Sequence, residues 1–174
     1  TVGENDYLRI LNQKKDALWV SQNRIRKIQL DDLAEKLLCR FEDQIFAFEQ
    51  ISGPIQANAK YILYTDGGSR GNPGHAAIGY AIYDDSGISI HEGCEYIGIA
   101  VSGMAEYQAV LRGLEVVTSL GIKNIELRVD NLMIAKQLNG AYKVKNREFW
   151  PIYEKVVNLC QQFDSLRIVH IKRE

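Results

Sequence analysis

The sequence predicts an α/β protein: a ribbon of antiparallel strands feeding a parallel half, giving a mixed five-stranded sheet flanked by helices, with a helical hairpin ahead of it. Three observations predict this. The apolar spacing changes from the period of helices to that of strands between residues 52 and 61. Beyond the change, the elements run in the order β-β-β-α-β-α-α-β. The first three strands are joined by short glycine-rich connections of the hairpin kind, and the later ones by helices, as parallel crossovers require.

Taken in order, Tyr7, Leu8, Ile10, Leu11, Leu18 and Trp19 suggest a first helix, and the chain turns near residues 24–29. From Asp31 to Ile51, Leu33, Leu37, Leu38, Phe41, Ile45 and Phe48 fall on one face of a second, with Asp31 and Asp32 suited to its positive N-terminal end. Ser52-Gly53-Pro54 ends this 1–52 extension, and residues 53–60 read as a linker. The main domain, 61–174, opens with a strand over Tyr61–Thr65 and a glycine-rich turn over Gly67–Gly74. Strands over Ala76–Tyr83 and Ile88–Ile97 flank Asp84-Asp85-Ser86-Gly87, a hairpin connection. A helix follows over Ser102–Leu120, stopped by Gly121, then a strand over Asn124–Val129. Helices over Leu132–Leu138 and Arg147–Phe163 and a strand over Leu166–Ile171 complete the set.

Composition excludes several classes. With 46% hydrophobic and 25% charged residues in 174, the chain is neither disordered nor fibrous. The 21 basic and 22 acidic side chains nearly cancel, which points to no partner yet leaves room for a local basic patch on nucleic acid. Three distant cysteines, Cys39, Cys94 and Cys160, favour neither a disulfide framework nor a zinc site and fit a reducing, cytoplasmic setting. No run is long and apolar enough for a membrane span, and residues 1–20 lack the apolar stretch of a signal peptide.

The chemistry is in the carboxylates. Asp66 ends the first strand, Glu106 lies in the first turn of the long helix, and Asp130 ends the following strand. If the first and fourth strands are neighbours, the two aspartates emerge side by side and the helix start brings Glu106 over them. Three clustered carboxylates repel one another, so the arrangement makes best sense around a hard divalent cation such as Mg²⁺, with Mn²⁺ as a substitute. Strand-end aspartates also serve as mere turn or cap residues, and spacing alone favours that role. The glycine-rich run after Asp66 is no nucleotide phosphate loop, because no Gly-Lys-Ser/Thr follows; its small side chains would let a polymer backbone approach main-chain amides.

Three segments in order, Thr-Asp-Gly-Gly-Ser-Arg-Gly-Asn-Pro-Gly at 65–74, Met-Ala-Glu-Tyr at 104–107, and Val-Asp at 129–130 with Gln-Leu-Asn-Gly-Ala-Tyr-Lys-Val-Lys-Asn at 137–146, resemble type 1 ribonuclease H. The resemblance covers residues 61–174. It implies the ribonuclease H-like fold and a metal-dependent endonuclease that hydrolyses the RNA strand of an RNA–DNA hybrid. Position by position, Asp66, Glu106 and Asp130 match three of the family's four metal-binding carboxylates, which hold two ions about 4 Å apart. It further implies that amides around Gly67, Gly68, Ser69 and Gly71, the Asn72 side chain and the Glu106 carboxylate face RNA 2′-hydroxyls, which separate a hybrid from DNA. Lys143 and Lys145, with Arg147 and interleaved with Tyr142 and Trp150, read either as a solvated loop or as contacts to DNA-strand phosphates.

Two departures stand out. The family's fourth carboxylate lies beyond the last strand, on a closing helix, whereas this sequence ends Ile171-Lys172-Arg173-Glu174; the natural protein is expected to continue. The family's Thr and two Asn before the helix glutamate are here Val101-Ser102-Gly103, leaving Ser102 as an N-cap that can still donate a hydrogen bond to substrate. These departures keep open a catalytically silent module that binds nucleic acid or protein. A nuclease of the same fold acting on DNA is the third possibility, and the glycine-rich turn argues against it. The N-terminal helices are expected to pack on the main domain, or to serve self-association or a protein partner.

Overall fold

The computed structural model describes residues 47–51, 55–56 and 59–172. The expected helices of residues 4–46 lie outside the described residues. Six strands form one sheet: β1 (Ala47–Ile51), β2 (Lys60–Gly71), β3 (Gly74–Asp84), β4 (Ser89–Ala100), β5 (Asn124–Val129) and β6 (Ser165–His170). Their spatial order is β1-β4-β3-β2-β5-β6, with β1 to β4 joined antiparallel and β2, β5 and β6 parallel. Among the described residues the helices are α1 (Ser102–Ser119), α2 (Leu132–Leu138) and α3 (Trp150–Cys160), the last preceded by one 3-10 turn at Arg147–Phe149. Among the described residues no helix is long and apolar enough to cross a membrane.

The five expected strands and the mixed topology are present, and three boundaries are corrected. Residues 47–51, expected as the end of a helix, are a strand paired with β4 from Ala47↔Glu95 to Ile51↔His91. The run from Ile45 to Ile51 fits both periods, and the free edge of β4, with its unpaired amides and carbonyls, decides for the strand. The glycine-rich segment is also strand: β2 continues to Gly71, paired residue by residue with β3 down to Gly71↔Gly74, so that only Asn72-Pro73 is turn. Glycine weakens a strand but does not forbid it when a partner supplies the ladder. The last helix ends at Cys160, short of Phe163.

The core lies between the sheet and the α1–α3 pair. Leu63, Tyr80, Ile82, Leu114, Val117, Leu127 and Val156 are at most 1% exposed there. Each such side chain contributes roughly 1.5–3 kcal/mol relative to an exposed one. On the opposite sheet face the buried Glu126 accepts hydrogen bonds from Lys60 Nζ at 2.9 Å and Arg128 Nε at 2.8 Å, with the Arg167 guanidinium at 3.6 Å. Burial raises the Glu126 pKa, but its hydrogen bonds from Lys60 and Arg128 outweigh that and hold it below the usual carboxylate range. This knot ties β5, the strand leading to Asp130, to its neighbours on either side.

Candidate metal centre

The topology brings the three carboxylates together. The parallel ladder between β2 and β5 ends at Thr65↔Val129, so Asp66 and Asp130 are the next residues along two adjacent strands. Asp66 therefore sits inside β2 and not at its end; it continues in register with Gly79 of β3 while its other side lies past the end of β5. Glu106 arrives from α1 as its fifth residue, just past the first turn. One carboxylate oxygen from each of Asp66, Glu106 and Asp130 lies within 4.8 Å of the others. Asp66 is 8% exposed and Glu106 7%, so little water screens their mutual repulsion. A donor set of carboxylate oxygens at this spacing fits a hard divalent cation and not a soft metal seeking sulfur or imidazole.

Gly67 makes the approach possible. A Cβ placed there would lie 2.2 Å from the Ala105 carbonyl oxygen and 2.6 Å from the Glu106 amide nitrogen. The start of α1 thus rests backbone on backbone against the residue after Asp66. Farther along, a Cβ at Gly113 would meet the Leu63 and Thr65 side chains at 3.0 Å, and Ala76, Ile78, Ala105 and Ala109 pack together at the first contact. Small residues on both surfaces lay the helix flat on the sheet, and its position carries Glu106 to the aspartates.

The hairpin tip is tied to the same helix. Asn72 Oδ1 accepts the Ser102 amide at 3.1 Å, satisfying one of the helix's unpaired N-terminal donors. The N-cap residue is Val101, which has no capping side chain, so the cap expected of Ser102 comes instead from Asn72, thirty residues earlier in the chain. Asn72→Ala is expected to cost about 1 kcal/mol, the usual worth of an N-cap, read as a lowered midpoint in urea unfolding. Ser69 Oγ donates to the Gly71 carbonyl at 2.7 Å and shapes the tip. Gly67, expected to offer its amide to substrate, is buried under α1, whereas Gly68 has open space where a Cβ would stand.

Beside the carboxylates runs a groove of about 660 Å³ between α1, α2 and the loop leading to α3. Its lining includes Gly103 and Asn131 together with Lys143 and Lys145. The basic loop is held in place: Trp150 Nε1 donates to the Val144 carbonyl at 3.0 Å, and the Ala141 and Tyr142 amides both bond the Lys136 carbonyl. Tyr107 forms the wall, donating to Gln137 Oε1 at 2.6 Å, and burial with the neighbouring Tyr153 pushes its phenol up to about 12. The structure thus brings Lys143 and Lys145 into one groove with Gly103, the residue after Ser102.

Two contacts lay beyond the sequence reading. Asn131 Oδ1 caps α2 by accepting the Met133 and Ile134 amides, and His170 Nε2 lies 3.1 Å from the Asp130 carbonyl. Asn-x-x at a helix start was a readable signal; a histidine in the last strand was not.

Residues 64–174 match the family model described as reverse transcriptase-like. A ribonuclease HI of Halobacterium salinarum is 37% identical over 110 residues, 63% of this chain and 55% of its own length. A bifunctional protein of Mycobacterium tuberculosis is 30% identical over 115 residues, 66% of this chain and 32% of its own length. The chain therefore spans 32% to 55% of the length of these curated relatives. Among solved structures, RNase H1 of H. salinarum superposes with a TM-score of 0.64 at 36% identity, covering 66% of this chain and 86% of that one. LC11-RNase H1 in complex with an RNA/DNA hybrid superposes with a TM-score of 0.61 at 39% identity, covering 65% and 86%.

Proposed function

Because this chain belongs to the reverse transcriptase-like family and carries a type 1 ribonuclease H domain, we propose that it is an endonuclease hydrolysing the RNA strand of RNA–DNA hybrids with divalent cations, Mg²⁺ first among them. The observation that carries the reading is the convergence of Asp66, Glu106 and Asp130 to within 4.8 Å. Its relative of known structure with a bound RNA/DNA hybrid supports the substrate class.

Asp66, Glu106 and Asp130 would hold the cations. When bound, these supply a water nucleophile activated at neutral pH and stabilisation of the leaving 3′-oxygen. The chain's own part is to fix three carboxylates before substrate arrives, so that no reorganisation is needed at the moment of reaction. The open space over Gly68, with Ser69 and Gly71 beside it, would let RNA 2′-hydroxyls come close to the main chain, and the Asn72 amide nitrogen would join them while its oxygen caps α1. Ser102, next to the groove-lining Gly103, would donate to substrate from its hydroxyl. Lys143 and Lys145 would meet phosphates of the DNA strand along the groove.

Four duplexes of one sequence test the proposal: RNA–DNA hybrid, double-stranded RNA, double-stranded DNA, and a hybrid whose RNA strand is 2′-deoxy at four consecutive positions. The full-length protein in Mg²⁺ is expected to cut only the RNA of the hybrids and to spare the deoxy tract; equal cutting of DNA would sink the reading. The double variant Lys143→Ala/Lys145→Ala should bind hybrid less tightly at low salt. Its plot of log affinity against log salt should flatten by roughly two, one unit for each lost phosphate contact.

A further inference from the structure

We infer that His170 is a positioning residue for the metal centre, acting through the backbone of Asp130; the inference rests on the metal reading above. The three carboxylates are not held alike. Asp66 stands in a strand that is laddered to β3 on one side and to β5 up to the preceding residue on the other. Glu106 is inside an 18-residue helix. Asp130 belongs to no element: β5 ends at Val129, and α2 begins at Leu132 behind its Asn131 cap. Its place depends on how the two-residue link between strand and helix is pinned.

β6 does the pinning. Its last residue, His170, is in parallel register with Val129, and the next amide, Ile171, donates to the Val129 carbonyl at 2.9 Å. The His170 ring then reaches one residue farther and bonds the Asp130 carbonyl through Nε2 at 3.1 Å. A carbonyl oxygen only accepts, so the ring must be the donor and carry its proton on Nε2. On the other side of the link, the Asn131 side chain takes the Met133 and Ile134 amides, which leaves the Ile134 amide directed to the cap instead of four residues back to the Asp130 carbonyl. The ring therefore supplies a donor that the helix does not. It also fixes the orientation of the peptide between Asp130 and Asn131, and with it the backbone from which the Asp130 carboxylate projects. A shift of about 1 Å in a reacting constellation costs on the order of 10²-fold in rate, so this hydrogen bond has leverage out of proportion to its own strength.

Two variants separate donation from packing. His170→Phe keeps a ring and loses the donor; His170→Gln loses the ring and keeps an amide donor at comparable reach. Mn²⁺ binding to the full-length protein, read from the electron paramagnetic resonance signal of the free ion, gives the site's affinity without reference to catalysis. His170→Phe is expected to weaken Mn²⁺ by roughly 10- to 100-fold, the usual effect of losing a partner that orients a metal ligand. His170→Gln should stay within about threefold of wild type by the same reasoning. Hybrid cleavage by the Phe variant should recover when Mn²⁺ is raised above its new half-saturation, with KM for the hybrid unchanged. Wild-type affinity in the Phe variant, or equal loss in both, would overturn the inference. If the Phe variant does not fold, His170→Ala takes its place against Gln with the same criteria. If Asp66→Asn leaves Mn²⁺ binding unchanged, it is the metal reading that fails, and the role inferred for His170 falls with it.

Discussion

Asp66→Asn is expected to lower the rate of hybrid cleavage by about 10³-fold or more. A bound cation contributes several kcal/mol of charge stabilisation in the transition state, and about 4 kcal/mol corresponds to a factor near 10³. The substitution is nearly isosteric and leaves Asp66 paired with Gly79 in β2, so the loss is one of charge and ligation. Stability should move the other way. Three carboxylates within 4.8 Å repel in the metal-free protein, and Asp66 is nearly buried, so neutralising it should raise the melting temperature in chelator. Mg²⁺ should raise the melting temperature of wild type by mass action and leave the variant almost unmoved. A variant that is less active, more stable without metal and unresponsive to metal is the signature of a ligand; one that is merely unfolded is not.

Gly67→Ala is expected to have the second largest effect, from the addition of one methyl group. Its Cβ would stand 2.2 Å from the Ala105 carbonyl oxygen, a contact with backbone that no rotamer change relieves. Either α1 lifts from β2 or the strand buckles beside Asp66. Overpacking of this kind costs typically 1–3 kcal/mol, and more where the obstacle is main chain. Both relaxations move Glu106 relative to Asp66, so metal affinity should fall along with the denaturation midpoint. Gly68→Ala, one residue on, has open space and serves as the control. It should leave stability nearly unchanged, and any effect it has should appear in KM for hybrid.

The difference between these neighbouring glycines shows how far the sequence could be read. That the run after Asp66 is built for close approach was legible in its composition, but not what approaches. At Gly67 it is the protein's own helix, because Ala76, Ala105 and Ala109 are small enough to bring α1 down on the sheet, a three-dimensional match with no local signature. Asp130 was readable because it sits where β5 gives way to α2, a point that the change from strand to helix period locates within a residue or two, whereas Asp66 and Glu106 lie inside β2 and α1 and were readable from the glycine-rich run after the one and the helix start just before the other. The Ser102 cap was misassigned for a related reason. A serine at a helix start is a good local N-cap for the amides that follow it, yet the hairpin tip delivers Asn72 to the amide of Ser102 itself, and the cap falls at Val101. Residues 47–51 show the same competition, since Ala-Phe-Glu-Gln-Ile satisfies either period and the open edge of β4 settles which is formed. His170 was invisible as a functional residue because its partner is a main-chain carbonyl one residue past the end of another strand, fixed by the β5–β6 register.

The central claim is that this fold cuts RNA in a hybrid by means of cations held at Asp66, Glu106 and Asp130. Its most direct test is cleavage of an end-labelled RNA strand, paired to DNA, by the full-length protein in Mg²⁺ and again in chelator, with the 5′ and 3′ ends of the products identified. The account predicts cutting in Mg²⁺ alone, leaving 3′-hydroxyl and 5′-phosphate termini. Cutting that persists in chelator, or products ending in a 2′,3′-cyclic phosphate, would contradict it.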